Sequence, residues 1–369
     1  MIQVALRRAG LMVTAALAAL LASAGPALAH GADAPDGTDY RAEVTALTPP
    51  RPGLTARIVE AGARLEVTNR SGRDVEVLGY SGEPYLRIGP GGVYENTRSP
   101  ATYLNRTITG DTQLSPEADP AATPVWRKLS DDRSARWHDQ RTRWLESDPP
   151  AQVTADPTRQ QRIRDWVVPL RDGDRTIEVH GTLDWVPPPD AYPWWLAAAL
   201  GSLLLGAAGV VPAGTVAGAR ALRGVGALLA LGGLAAVTFT VGRALDAGAE
   251  GVGGLLLGLL SGQTWALLTG LGAIAAGGYA LARRPAADFA LALAGACLAL
   301  FAGAANLAVL SRSVVPTPWP AGLARVLVTL VLATGTGAAA AGLLRLHTAA
   351  RSTRRPMAPA PHPATPVPR

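Results

Sequence analysis

The sequence predicts a multidomain protein with two fold classes: an all-β, antiparallel sandwich-like extracytoplasmic domain, followed by an α-helical membrane bundle of five transmembrane helices. Apolar and polar residues alternate in short runs over residues 30–190, which is typical of half-buried strands. Long apolar runs follow residue 190, and about 20 consecutive apolar residues suffice to cross a bilayer. Charge is divided in the same way, because residues 30–190 hold 25 of the 28 acidic side chains and 20 of the 34 basic ones.

The basic residues of the remaining chain flank its apolar runs. Outside residues 30–190 there are 3 acidic and 14 basic side chains, so the sequence pI of about 10.0 reflects arginines beside membrane segments. This pattern does not indicate a nucleic-acid-binding surface, and we expect no nucleic-acid partner. The single cysteine, Cys297, excludes an intrachain disulfide, so the β domain must be stabilised by its own core.

Residues 1–29 have the three parts of a secretory signal peptide. Arg7 and Arg8 form the charged start, residues 9–24 the apolar centre, and the ALA at 27–29 the cleavage site. The alternative is an uncleaved anchor, but the apolar centre is short for a span. Cleavage makes His30 the first residue of the mature chain and places residues 30–190 outside the cytoplasm.

The β domain is predicted from its strand and turn signals. The segments YRAEVTAL, LTARIVEAGARLEVTN and RDVEVLGY alternate with period two, and YLRIGPGGVYEN and DRTIEVHGTLDW continue the pattern. Gly62 and Gly72 stand where turns need positive φ. Many short strands with frequent turns predict an antiparallel sandwich. For residues 126–147, a helix and a strand pair both fit the pattern.

The membrane domain is predicted over residues 191–346. Its five spans lie near 193–212, 221–242, 257–281, 286–310 and 321–345, and Tyr192, Trp194 and Trp195 form an aromatic belt before the first. The third apolar run begins at Gly251, and is either one tilted helix or a shorter helix preceded by an interfacial segment. Residues 347–369 are basic and rich in Pro and Ala, which predicts a disordered cytoplasmic tail.

Arginines predict the orientation in the plasma membrane. On the side opposite to the β domain the loops and tail carry Arg220, Arg223, Arg283, Arg284, Arg351, Arg354 and Arg355. The loops on the other side carry Asp246 and Glu250 with Arg243, and Arg312. The positive-inside rule therefore predicts a cytoplasmic C-terminus, in agreement with the signal peptide. We expect a multipass plasma-membrane protein whose partners are the lipid bilayer and other envelope proteins.

A metal site is one hypothesis for the exported domain. The free amine and ring of His30 could chelate Cu(II), with His138 or His180 as a further nitrogen ligand and Asp139 as an axial or outer oxygen. In its first residue after cleavage, the mature chain resembles periplasmic copper-binding proteins of the copper-resistance type. The alternative is that His30 begins a disordered polar terminus.

The segment WHDQRTRW is the densest cluster of aromatic and charged residues. Trp137, Trp144, Arg141 and Arg143 are candidates for a ligand groove or a partner interface. The alternative, which we favour, is that the tryptophans fill the sandwich core while Arg and Asp form surface ion pairs. His180 is expected on a strand, facing solvent or a polar neighbour.

Several segments together resemble a group of multipass membrane proteins from actinobacteria (high-GC Gram-positive bacteria). They are the signal followed by HGADAP, the segment YSGEPYLRIGPGGVYENTRSPATYLN, WHD with a following Trp, and GTLDWVPPP before the first span. The resemblance implies a signal peptide, an N-terminal extracytoplasmic domain and a membrane anchor, but no activity. In that group the WHD block can be richer in histidine, whereas Gln140 and Arg143 stand here.

These observations favour a non-enzymatic binding or accessory protein of the cell envelope, with a link to copper or other metal handling as one form of it. A protein–protein scaffold or envelope-assembly factor without a metal is the alternative. No nucleophile elbow, Walker-type loop or zinc-site spacing occurs in the sequence. A transporter is disfavoured because only Arg243, Asp288 and Arg325 approach bilayer depth, all near predicted span ends where side chains snorkel.

Overall fold

The computed structural model of the protein describes residues 37–352, which form two compact units. The first, here called the β unit, contains residues 37–189 together with Gly242–Gln263 and Arg312–Ala321. The second, the helical unit, contains Asp190–Val241, Thr264–Ser311 and residues 322–352. The predicted signal peptide, His30 and most of the Pro/Ala-rich tail lie outside the described residues.

The β unit contains two antiparallel sheets. In spatial order the seven-stranded sheet contains β1 (Tyr40–Thr48), β10 (Arg175–Trp185), β9 (Gln161–Asp172), β4 (Val75–Leu78), β5 (Pro84–Gly89), β6 (Gly92–Asn96) and β7 (Trp126–Ser130). The three-stranded sheet contains β2 (Leu54–Val59), β3 (Arg64–Asn69) and β8 (Ser134–Trp137). Two short helices, α1 (Ala101–Leu104) and α2 (Ala151–Ala155), and a 3₁₀ turn at Gln140–Thr142 lie between strands.

Inward-facing side chains of both sheets share one core. Leu65 and Val67 of β3 are fully buried, as are Val77 of β4 and Leu170 of β9, which are direct cross-strand partners. Polar residues of the same strands face the other way, so that Arg171 donates to Glu76 across the outer surface. The period of two therefore places apolar residues inside, and the predicted sandwich-like β domain is confirmed.

Residues 126–147 form strands and a turn rather than a helix. β7 pairs with β6 in the seven-stranded sheet, whereas β8 pairs with β3 in the three-stranded sheet. The two strands therefore belong to different sheets instead of forming a hairpin with each other. Gly62 and Gly72 adopt positive φ values of 93° and 80°, as predicted for their turns.

The remaining helices are mostly apolar. They are α3 (Tyr192–Ala207), α4 (Val216–Asp246), α5 (Gly251–Gly262), α6 (Thr264–Leu281), α7 (Ala287–Cys297) and α8 (Ala321–Ser352). A π-helical turn, Leu298–Gly303, and a 3₁₀ segment, Ala304–Leu310, extend α7. In the described part of the chain, five helical segments are long and apolar enough to cross a membrane: Tyr192–Val210, Val216–Asp246, Thr264–Leu281, Ala287–Leu310 and Ala321–Arg351.

The third apolar run is two helices. The backbone leaves helical geometry at Gln263 (φ −129°, ψ 18°), so α5 has 12 residues and α6 has 18. At about 1.5 Å per residue, α5 is too short to cross a bilayer. The third span therefore begins at Thr264 and not at 257, and the interpretation with a separate preceding segment is the correct one.

Small residues allow close helix contacts in the helical unit. A Cβ atom added at Gly295 of α7 would lie 2.6 Å from the backbone nitrogen of Ala339, and one at Gly342 would lie 2.6 Å from the carbonyl oxygen of Asp288. Both distances are below any contact that a side chain tolerates, so α7 and α8 pack backbone to backbone. The GAAAAG run at 337–342 therefore allows helices to pack closely.

Candidate functional site

His138 is buried in the β unit, and both of its ring nitrogens have partners. Nδ1 lies 2.9 Å from the carbonyl oxygen of Ala63, and Nε2 accepts a hydrogen bond from Nε of Arg64 at 3.2 Å. This pattern fits a neutral ring that carries its proton on Nδ1. A metal ion at Nε2 would have to displace Arg64, so His138 as folded is a poor Cu(II) ligand.

Asp139 is fully buried and its carboxylate is saturated with donors. It accepts hydrogen bonds from Nε1 of Trp137 (2.9 Å) and from Nε (2.8 Å), Nη2 (2.7 Å) and the backbone nitrogen (3.0 Å) of Arg141. Arg141 also lies over the ring of Tyr80, 4.9 Å from its centroid. Burial lowers the pKa of Arg141, but the hydrogen bonds and charge of Asp139 outweigh it, so that pKa is raised.

The expectation of surface ion pairs in this block is therefore wrong for Asp139 and Arg141. Asp139 begins the 3₁₀ turn Gln140–Thr142, which folds its carboxylate inward. The buried, bidentate pair with Arg141 and the hydrogen bond from the Trp137 indole give Asp139 a structural role in the β unit. The same saturation argues against Asp139 as an oxygen ligand for copper.

The two tryptophans of the block have different environments. Trp137 is buried and meets Tyr85 edge to face at a centroid distance of 6.2 Å. Trp144 is partly exposed, stacks on Tyr40 at 6.4 Å and donates from Nε1 to the carbonyl oxygen of Asp148. The core interpretation therefore holds for Trp137, whereas Trp144 packs against the same core while only partly buried, and also lines a small cavity together with Arg143.

The other predicted metal ligands do not join His138. His180 lies on β10 with its side chain 35% exposed, and its Nε2 is 3.0 Å from Oε2 of Glu178, as expected for a strand residue with a polar neighbour. His30 lies outside the described residues. Across residues 37–352, no group of three or more His, Cys, Asp or Glu side chains is placed to hold a metal ion.

The β unit contains a charged cleft of about 750 Å³. One wall is the outer face of the three-stranded sheet, and the other is the segment 243–263. Its described lining includes five arginines and five carboxylates: Arg57, Arg70, Arg133, Arg136, Arg243, Glu60, Glu66, Asp132, Asp246 and Glu250. Small and apolar residues of α5, among them Leu257 and Gly258, complete the second wall.

Glu66 organises the sheet wall of this cleft. It lies on β3 directly between its cross-strand partners Arg57 of β2 and Arg136 of β8, and it is only 3% exposed. Nε of Arg57 donates to Oε1 at 2.5 Å, and Nε of Arg136 donates to Oε2. An Arg–Glu–Arg ladder thus runs across the outer face, which is normally the solvated face of a sheet.

Backbone carbonyl groups and the Asp246 carboxylate of the second wall accept hydrogen bonds from this ladder and from the turn after β2. Arg136 donates to the carbonyl oxygens of Ala247 and Gly248. Oδ2 of Asp246 accepts from the backbone nitrogen of Ala61 at 2.8 Å, and the Asp246 carbonyl accepts from Glu60 at 3.2 Å. Glu60 and Ala61 both have positive φ, which directs their N–H groups to one acceptor residue.

A second segment of the β unit is fixed in the same way at 312–314. Asp39, 3% exposed, accepts from Nη1 of Arg312 at 2.5 Å and from the backbone nitrogen of Ser313 at 3.0 Å. Thr38 and Val314 exchange two backbone hydrogen bonds as an antiparallel bridge. Sequence reasoning missed these contacts, because it treated Arg312 only as a loop charge.

Sequence reasoning also missed one buried ion pair in the helical unit. Nε of Arg345 lies 2.5 Å from Oδ1 of Asp288, and Arg345 is only 5% exposed. Nη1 of Arg345 also lies 3.4 Å from the carbonyl oxygen of Gly218. Asp288 is therefore paired across helices instead of snorkelling alone, and the pair joins α7 to α8 near the end of the predicted fifth span.

Comparison of the whole chain with protein families, with curated proteins and with solved structures gives no match.

Proposed function

We propose that this is a non-enzymatic integral protein of the plasma membrane whose extracytoplasmic β domain is a binding or accessory module, with the charged cleft as its binding site. Five apolar helices are compatible with an integral membrane protein. The single observation that carries the proposal is the cleft, because its two walls are fixed to each other through Glu66, Arg136 and Asp246. A cleft held in this way is preorganised for a partner, which lowers the entropy lost on binding.

The charges of the cleft favour a protein partner from the envelope. Equal numbers of arginines and carboxylates line it, so it has no net attraction for a polyanion such as nucleic acid. Charges of both signs at fixed positions suit a polar protein surface, where they determine specificity more than affinity. Arg70 and Arg133 are exposed and line the cleft, and neither belongs to the Arg–Glu–Arg ladder. Arg70 forms one exposed ion pair with Glu250 of the second wall, at 3.7 Å, and such an exposed pair adds little stability.

The contacts of the β unit support the proposed topology. Gly242–Gln263 and Arg312–Ala321 belong to the same compact unit as residues 37–189. These are the loops that the positive-inside rule places outside the cytoplasm. Because the chain crosses the membrane an odd number of times after an external β domain, its C-terminus is cytoplasmic in this proposal. The resemblance to actinobacterial membrane proteins stays a prediction.

A link to copper is the narrower form of this proposal. It is supported by His30 as the predicted first residue of the mature chain, whereas His138 and Asp139 do not fit a Cu(II) site as folded. N-terminal sequencing of the exported protein together with metal analysis of the same sample tests it. A mature chain that begins elsewhere than at His30, or a sample without copper after growth in copper, would end this form.

The cleft is tested by site-specific photocrosslinking in intact cells. A photoreactive residue at Arg133, on the cleft rim, is compared with one at Arg175, an exposed arginine at the start of β10. We expect a discrete protein adduct from position 133 only, and its loss when Arg70→Glu is added. Equal adducts from both positions, or an adduct that Arg70→Glu leaves unchanged, would contradict a binding role for the cleft.

A further inference from the structure

Arg143 is an arginine without an acidic partner. Its Nη1 lies 3.4 Å from the carbonyl oxygen of Ala63, a long contact, and its Nε is buried with no hydrogen-bond partner in the structure. No carboxylate of residues 37–352 forms an ion pair with it. Arg141, two residues earlier, has the bidentate carboxylate of Asp139, so the two arginines differ in just this respect.

Such an arrangement is unfavourable in the unliganded protein. A buried charge is normally paired, because its lost hydration must be replaced by hydrogen bonds. Burial lowers the pKa of Arg143 to about 10, which reflects the same missing partner. A guanidinium held in this state has its donor groups available for an anion from outside the chain.

The cavity beside Arg143 has room for a small anionic group. Its volume is about 30 Å³, and its walls include Tyr40, Trp144 and the backbone of 61–63. That exceeds the roughly 10–15 Å³ that one water molecule needs and suits the three heavy atoms of a carboxylate, but not a ring. The stacked rings of Tyr40 and Trp144 form an apolar wall that would strengthen an ion pair by excluding water.

We propose that this cavity is a carboxylate-binding site in which Arg143 is the anion-binding residue and Tyr40 and Trp144 are its walls. The planar fork of a guanidinium matches the two oxygens of a carboxylate. The carboxylate is either that of a small free acid or that of an acidic side chain on a partner. The site is separate from the charged cleft and does not rest on the proposed function.

The first test measures the thermal unfolding of the full-length protein in detergent with acetate, against chloride at equal ionic strength. A ligand that binds only the folded state raises Tm by mass action. We expect a saturable rise in Tm with acetate, its loss in Arg143→Gln, and its retention in the matched variant Arg175→Gln. A short blocked peptide with one glutamate distinguishes the sources, since a partner side chain is favoured if the peptide binds at least about tenfold more tightly than acetate.

The second test separates binding from a structural role. Arg143→Met keeps an apolar stem in place of the guanidinium, and we expect its Tm without acetate to equal or exceed that of the wild type, because an unpaired and partly buried charge has been removed. Its response to acetate should be lost. A clear fall in Tm without acetate, a retained response in this variant, or no response in the wild type would each overturn the proposal.

Discussion

At the scale of single residues, the ion pair of Asp139 and Arg141 is a buried contact of the β unit that should be costly to break. The carboxylate is fully buried and accepts four hydrogen bonds, one of them from Trp137. A buried pair of this kind adds little net stability over an apolar replacement, but removal of one partner leaves the other charge uncompensated. The contribution of the pair to stability is therefore measured by changing Asp139 and Arg141 one at a time.

We predict that Asp139→Asn lowers the free energy of unfolding of the β unit by about 3–5 kcal/mol. The double variant Asp139→Leu/Arg141→Met should lower this free energy less than Asp139→Leu alone or Arg141→Met alone. The matched control is Asp165→Asn, which removes an exposed ion pair with Arg162 and should change stability little. Urea unfolding of the full-length protein in detergent, followed by tryptophan fluorescence, measures the difference. Equal effects of Asp139→Asn and Asp165→Asn would show that burial of the pair is unimportant.

Sequence patterns locate such residues but do not specify their burial. The WHDQRTRW segment identified Trp137, Asp139, Arg141 and Arg143 as a cluster, yet the 3₁₀ turn Gln140–Thr142 decides which of them point inward. Two arginines only two positions apart consequently differ, one paired and one not. No local periodicity encodes this difference, because the turn interrupts the strand pattern that such reasoning uses.

At the scale of elements, β3, the central strand of the three-stranded sheet, is buried on both faces although its alternating sequence suggests one exposed face. Arg57 and Arg136 on the neighbouring strands stay exposed on the outer face. β3 alternates Leu65, Glu66 and Val67, and all three are buried. Glu66 is buried because the segment 243–263 and the flanking arginines cover it. Alternation therefore predicted the strand and its inward side, but could not predict what covers the outer side.

We predict that Glu66→Gln loosens the segment 246–250 without unfolding the sandwich. Arg136 loses its charge partner, and with it the geometry that lets it hold the carbonyl oxygens of Ala247 and Gly248. Amide hydrogen exchange in this segment should become about tenfold faster or more, since 1.4 kcal/mol corresponds to tenfold in an opening equilibrium.

The matched control for this change is Glu76→Gln. Glu76 accepts from Arg171 on the outer face of the seven-stranded sheet, so the same kind of ion pair is lost, at a position outside the charged cleft. Exchange over 246–250 should stay at the wild-type rate in this control. If both variants accelerate exchange there equally, the effect is a general loss of stability and not the release of Arg136.

At the scale of the whole molecule, the sequence predicted the division into a β-rich region and an apolar helical region, because composition and charge change abruptly at residue 190. It did not predict that two loops between helices belong to the β unit. The contacts that show this join residues far apart in the chain: 185 positions for Ala61 and Asp246, and 273 for Asp39 and Arg312. Periodicity and composition describe neighbours in sequence and carry no information about such pairs.

The proposed topology predicts on which side of the membrane each loop lies, and substituted cysteines can test this. In a Cys297→Ala background, which removes the only native thiol, a membrane-impermeant maleimide should label Glu250→Cys on intact cells, because Glu250 is exposed in the β unit. Arg284→Cys, exposed in the loop between α6 and α7, should be labelled only after permeabilisation. The background without added cysteine should stay unlabelled. Labelling of Arg284→Cys on intact cells would place the arginine-rich loops outside, which reverses the orientation and removes the charged cleft from the envelope side of the membrane.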